Sequence, residues 1–173
     1  WYSDYPNNPW TADYMENITE LVINEGVTSI GNYSFTGLSI KEANVPEGVT
    51  SIGTDAFGYC SELLTVSLPA SLTTIADVAF EECIKLKTIT MGDSVTSIGI
   101  YAFGGLTSLE SLYVSGGVKE ALGGAMTGLL GEDWTLGETR TDWTKVDVTF
   151  GSGSPYEIEN GVLYNGTVAE AAL

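Results

Sequence analysis

Residues 95–103 read Val-Thr-Ser-Ile-Gly-Ile-Tyr-Ala-Phe, and the same phrase stands at Val27–Phe35, Val49–Phe57 and Leu72–Phe80. The shared form is apolar-Thr-[Ser/Thr]-Ile-[Gly/Ala]-x-x-[Ser/Ala]-Phe. Its phenylalanines fall at 35, 57, 80 and 103, in steps of 22, 23 and 23. A fixed period in the twenties marks a solenoid, in which each unit buries its apolar face against its neighbours because it cannot close a core alone. The same phrase therefore predicts an elongated stack and directs attention to surface recognition.

A second phrase completes each unit. Ile18-x-x-Leu21-x-Ile23 recurs as Ile40/Ala43/Val45, Leu63/Val66/Leu68, Leu86/Ile89/Met91 and Leu109/Leu112/Val114. Its last two apolar positions are two apart, which places both on one face of a strand. Five such rungs predict a parallel sheet with a buried inner face. Val27, Ile30 and their copies supply the opposite wall, and the four phenylalanines are expected to stack as a ladder between the two.

The combined unit resembles the leucine-rich repeat of BspA-like proteins, roughly L-x-x-[IV]-x-[IL]-P-x-[SG]-V-x-x-I-G-x-x-A-F-x-x-C, over residues 18–117. The resemblance implies a right-handed leucine-rich repeat solenoid, β-rich, with short parallel strands on two walls, few short helices and capped ends. It also implies secretion or cell-surface display. The departures are informative. Ala76 stands where the other units have Gly31, Gly53 and Gly99, so that position asks for a small residue more than for a positive φ. Leu38 and Leu106 occupy the slot of Cys60 and Cys83, which reads as a buried apolar position. Pro46 and Pro69 follow the strand, where a missing N–H ends the ladder.

Four regions follow from this reading. Residues 1–17, with Trp1, Tyr2, Tyr5, Trp10 and Tyr14, form an aromatic N-terminal cap, read as a lid over the first repeat and not as a sugar-stacking site. Residues 18–117 are the repeats. Residues 118–145 are an insert whose Val118, Ala121, Leu122, Ala125, Met126, Leu129 and Leu130 follow a helical stripe, with Trp134 and Trp143 expected to pack it on the array. Residues 146–173 begin with the alternating Val146/Val148/Phe150, a sixth rung. Tyr156–Glu159 and Val162–Asn165 then flank Asn160-Gly161 as a hairpin. The chain stops where another repeat could begin, which suggests a piece of a longer protein.

Composition narrows the partners. There are 23 acidic residues against 6 basic ones and no histidine, for a formal charge of −17. Nucleic-acid backbones and anionic membranes need clustered cations, so neither is expected, and no segment reads as membrane-inserted. The absence of histidine removes Ser-His and Cys-His nucleophiles and His-ligated zinc. Cys60 and Cys83 fall one repeat apart, with parallel side chains ill placed for a disulfide, and are expected to be free buried thiols. Carboxylate pairs remain, at Glu81-Glu82 and Glu132-Asp133, yet adjacent acids on short turns read as solvated edges. No enzyme, metal or cofactor is expected.

Recognition would fall to the outward residues of the strands. One column is Val22, Asn44, Ser67, Thr90 and Tyr113; a parallel one is Glu20, Glu42, Thr65, Thr88 and Ser111. Small polar rungs ending in an aromatic suit an extended peptide or a glycan, with Tyr113 the strongest single candidate. The expected function is an adhesin-type interaction module, monomeric, that binds an extracellular protein or glycan. The alternatives are a passive spacer in a larger surface protein and a noncatalytic targeting segment of a secreted enzyme.

Overall fold

In the computed structural model of the chain, residues 15–118 and 146–158 are described in full, and 132–133, 138–139, 159, 162–165 and 168–171 through their backbone. The repeats form β1 (Ser29–Ile30), β2 (Glu42–Asn44), β3 (Ser51–Ile52), β4 (Thr65–Ser67), β5 (Thr74–Ile75), β6 (Thr88–Thr90), β7 (Ser97–Ile98) and β8 (Ser111–Val114). After them come β9 (Glu132–Asp133), β10 (Glu138–Thr139), β11 (Asp147–Phe150), β12 (Tyr156–Glu159), β13 (Val162–Asn165) and β14 (Val168–Ala171).

The solenoid has two parallel walls. One is a four-stranded sheet in the order β1-β3-β5-β7, and the other a five-stranded sheet in the order β11-β8-β6-β4-β2. Each wall advances by one repeat per strand, as a stack of identical coils requires. The 146–150 segment is the expected extra rung: β11 pairs in parallel with β8, with Asp147 opposite Ser111 and Phe150 opposite Val114. One expectation fails at the other end. Residues 18–24 form no strand, so the five rungs are the second to fifth repeats plus β11. Ile18, Leu21 and Ile23 stay half-buried where the equivalent Leu86, Ile89 and Met91 are fully buried. Too little burial holds the first copy in register.

Between the walls runs the phenylalanine ladder. Ring centroids are 5.2 Å apart for Phe35–Phe57, 5.3 Å for Phe57–Phe80 and 6.3 Å for Phe80–Phe103. Phe57, Phe80 and Phe103 are wholly buried among Ile52, Leu63, Leu72, Ile75, Leu86 and Ile89. Burying a ring of this size contributes about 2–3 kcal/mol, so the repeated phenylalanine is the largest apolar anchor of each coil.

The connection between the walls is a tight turn in each coil, where the family resemblance led to an expectation of short helices. In the turn that carries the phenylalanine, two residues per coil have positive φ: Tyr33, Asp55, Val78 and Tyr101 at 51–59°, and Gly37, Tyr59, Glu82 and Gly105 at 57–73°. A left-handed residue at two fixed places per coil stops an α-helix from propagating. The turn residues between them bond to the next coil instead. Phe35 N–H donates to Ala56 O, Phe57 to Ala79 and Phe80 to Ala102, at 2.8–2.9 Å.

The glycine after Ile30, Ile52 and Ile98 lies outside the positive-φ set. A Cβ on Gly53 would sit 2.7 Å from Asn32 N, and one on Gly99 would sit 2.3 Å from Asp77 N. Close approach of successive backbones is therefore what Gly53 and Gly99 permit, whereas Ala76 carries a Cβ at the equivalent place and Gly31 meets no neighbouring backbone. Cys60 and Cys83 are free buried thiols. Their slot is more than apolar, because Cys60 Sγ donates to Phe35 O and Cys83 Sγ to Phe57 O, each at 3.1 Å.

Beyond the repeats, β9 and β10 pair antiparallel, as do β12 and β13, with Glu159 opposite Val162. That pairing brackets Asn160-Gly161 as a hairpin requires, although the two turn residues themselves lie outside the described residues. β14 adds a third strand to the hairpin that the sequence did not suggest. Phe150 and Tyr156 stack at 6.4 Å and tie β11 to the hairpin. Residues 1–14 of the aromatic cap expected over 1–17, the helical stripe after Val118, and Trp134 and Trp143 also lie outside the described residues.

Candidate functional site: the outer face of the five-stranded sheet

Strand alternation turns Ala43, Ile89 and Leu112 inward and leaves the residues on either side facing out. The two predicted columns exist in register over most of the sheet. Glu42 stands opposite Thr65, Thr65 opposite Thr88, Thr88 opposite Ser111, and Ser111 opposite Asp147. In the other column Asn44 stands opposite Ser67, Thr90 opposite Tyr113, and Tyr113 opposite Thr149. Glu42, Asn44, Thr65, Ser67, Thr88 and Thr90 are exposed, while Ser111 and Tyr113 are half-buried. Glu20 and Val22 are exposed too, Val22 at 81%, but they lie in the 18–24 segment, which forms no strand of this sheet.

The face thus has a hydroxyl centre of Thr65, Ser67, Thr88, Thr90 and Ser111, with a carboxylate at each end of one column, Glu42 and Asp147. The rungs lie about 4.8 Å apart. Ser111 Oγ donates to Thr88 Oγ1 at 3.3 Å. Along the margin, Lys87 Nζ meets Glu110 Oε1 at 2.6 Å, and Lys85 Nζ meets Glu62 at 2.7 Å. Both pairs are exposed, and such pairs contribute little to stability.

Tyr113 is held in place. Its hydroxyl donates to Asp93 Oδ1 at 2.9 Å and lies over Gly151, where a Cβ would come within 2.7 Å of it. The Asp93 carboxylate accepts the phenol proton and so raises the tyrosine pKa. The ring therefore offers a fixed surface.

Asp147 and Thr149 were missed as members of the face. The signal was present, because Val146/Val148/Phe150 alternate inward and their partners must point out. A ladder on the second wall was also missed. Thr50 Oγ1 donates to Thr28 O and Thr73 Oγ1 to Thr50 O, at 3.2 and 2.8 Å, which explains the constant threonine of the repeat.

No group of three metal-ligating side chains comes together among the described residues, and no described helix is long and apolar enough to cross a membrane. Glu81 and Glu82 lie on the turns, away from the sheet face, with Glu82 packed over Gly105. The side chains of Glu132 and Asp133 lie outside the described residues. Asp55 is the one strongly perturbed carboxyl in the described part. It is 4% exposed and its Oδ1 has no hydrogen-bond partner. Burial, reinforced by Glu81, raises its pKa to about 7. An acid enclosed in a turn has no access to a substrate, so its consequence is for stability.

Parallel walls, an internal aromatic ladder and coils of 22–23 residues define a leucine-rich repeat β-solenoid. The model of the BspA type leucine rich repeat region matches residues 12–125 in six copies, and the chain belongs to that family. Proteins of the family are often surface proteins or antigens, and its repeats are generally noncatalytic. No curated protein matches the chain at a significant level.

Among solved structures, the chain is similar to the T. pallidum leucine-rich repeat protein TpLRR at 30% identity and a TM-score of 0.54, over 56% of this chain and 47% of that one. It is also similar to a leucine-rich repeat protein from Bacteroides ovatus, at 32% identity and 0.48, over 56% and 29% of the two chains. A leucine rich cell surface protein from Faecalibacterium prausnitzii matches at 27% and 0.44, over 73% and 23%. The chain spans about half the length of the first and under a third of the other two.

Proposed function

We propose that this chain is a secreted or cell-surface interaction module that presents the outer face of its five-stranded sheet to an extracellular protein or glycan. The observation that carries the reading is the pair of outward columns, Glu42/Thr65/Thr88/Ser111/Asp147 in continuous register and Asn44/Ser67/Thr90/Tyr113/Thr149 beside it. A rigid parallel sheet loses little conformational entropy on binding, and hydroxyls at regular intervals offer both donors and acceptors to an extended ligand. Terminal carboxylates and the net negative charge favour neutral or basic partners. Binding would need no covalent chemistry.

The test is a panel of extracellular-matrix proteins and glycans probed with the wild type and with Thr90→Lys/Tyr113→Ala. The reading expects a ligand retained by the wild type and lost by the variant. A ligand that both bind equally would overturn it, and no binding at all would favour the spacer role.

A further inference from the structure

The five-stranded sheet ends at β2, although the chain continues past it with one more copy of the repeat. In β2 the groups facing β4 are paired: Thr65 N–H donates to Lys41 O at 3.4 Å and Val45 N–H to Ser67 O at 3.0 Å. Backbone groups alternate sides along a parallel strand, so the N–H and C=O of Glu42 and Asn44 face the first coil. No hydrogen bond joins them to it among the described residues. Between the two lies an open groove of about 470 Å³ lined by Thr19, Glu20, Leu21, Val22, Lys41, Glu42 and Asn44. Unpaired strand edges of this kind are templates for another strand, and sheet proteins ordinarily cover them.

We propose that the exposed edge of β2 accepts a strand in trans, an extended segment of a partner protein with basic residues at alternate positions. The main chain of the incoming segment would pair with Glu42 and Asn44. Side chains on its outward positions would then stand beside Glu20 and Glu42, with Val22 on the same side, which selects lysine or arginine with long apolar stems, and those between would meet the half-buried Leu21, which selects apolar residues. Lys41 alone opposes this pattern, in a chain with 23 acids and 6 bases. The site goes beyond the outer-face reading, since it binds through backbone groups at one end of the sheet.

The probe is an acetylated, amidated (Lys-Val)4 peptide titrated into the whole chain and followed by amide NMR and hydrogen exchange. The expected result is a saturable shift centred on the Glu42 and Asn44 amides, with both gaining protection from exchange. Asn44→Pro, which removes one donor at an edge position that tolerates proline, should weaken binding about tenfold or more. The same peptide N-methylated at alternate residues should lose binding equally, and this arm leaves the protein unaltered. Thr88→Lys/Thr90→Lys should leave peptide binding intact, so failure of the outer-face reading would not touch this result. Equal binding of the N-methylated peptide, shifts spread evenly over Glu62, Glu110 and the other acids, or no binding at millimolar peptide would overturn the proposal.

Discussion

The rings of Phe57 and Phe80 lie 1° from parallel with centroids 5.3 Å apart, so one coil's anchor is the floor of the next. Phe80→Ala removes a fully buried ring that two others touch, at Phe57 and Phe103, and should cost about 3–5 kcal/mol. Phe35 is half-buried at the end of the ladder, and Phe35→Ala should cost roughly half as much. Denaturant unfolding of the two variants checks the ratio; equal losses would deny the ladder its cooperative role.

Chemically identical glycine substitutions should differ sharply by place. A Cβ on Gly99 would press on the Asp77 backbone at 2.3 Å, whereas one on Gly31 meets only the Ser34 side chain, at 3.2 Å. Gly99→Ala should therefore destabilise by about 1–3 kcal/mol. Gly31→Ala should be close to neutral, within about 0.5 kcal/mol. Thermal midpoints of the pair measure this, and a larger effect at Gly31 would contradict the close-approach argument.

Val78 is a β-branched residue at φ 51°, a conformation that L-residues of that shape avoid. Asparagine accepts it more readily, so Val78→Asn should raise stability by roughly 0.5–1 kcal/mol, the relief of backbone strain exceeding the loss of a half-buried side chain. Chemical denaturation would decide it, and a loss above about 1 kcal/mol would count against strain at this position.

Asp55 makes stability depend on pH. Its pKa rises from 3.8 to about 7 on folding because the carboxyl is buried. Below about pH 4 both states hold the proton. Between pH 4 and 7 the folded chain keeps a proton that the unfolded chain releases, so stability falls as pH rises, and above about pH 7 the penalty is complete. Allowing for solvent screening, the penalty at pH 8 should be roughly 2 kcal/mol. Asp55→Asn keeps the left-handed turn and cannot ionise. It should be more stable than the wild type at pH 8 and lose that margin toward pH 4. Parallel stability–pH curves for the two proteins would show that Asp55 does not hold its proton in the fold.

The sequence showed most of what repeats. Periodicity gave the coils, both walls, the phenylalanine ladder and the extra rung at 147–150, because burial acts on side chains that can be seen in the chain. It placed the outward columns correctly for β2, β4, β6 and β8. What it could not show arises from main-chain geometry and from position in the stack. The left-handed turn sites carry Tyr33, Asp55, Val78 and Tyr101, so no glycine announces them. Glu20 and Val22 fit the column by pattern, yet residues 18–24, with their apolar side chains only half-buried, form no strand of the sheet. Tyr113 read as a free aromatic, and only the fold brings Asp93, 20 residues earlier, to its hydroxyl.

The central claim is that recognition belongs to the outer face of the five-stranded sheet. It is tested most directly by the affinity of a panel-identified ligand for three proteins: the wild type, Thr88→Lys/Thr90→Lys on that face, and Ser97→Lys on the opposite wall. Both altered sites are exposed, so each protein should fold. The account predicts a loss of about tenfold or more for the face variant and none for the wall variant. Equal affinity for all three, or an equal loss in both variants, would contradict it.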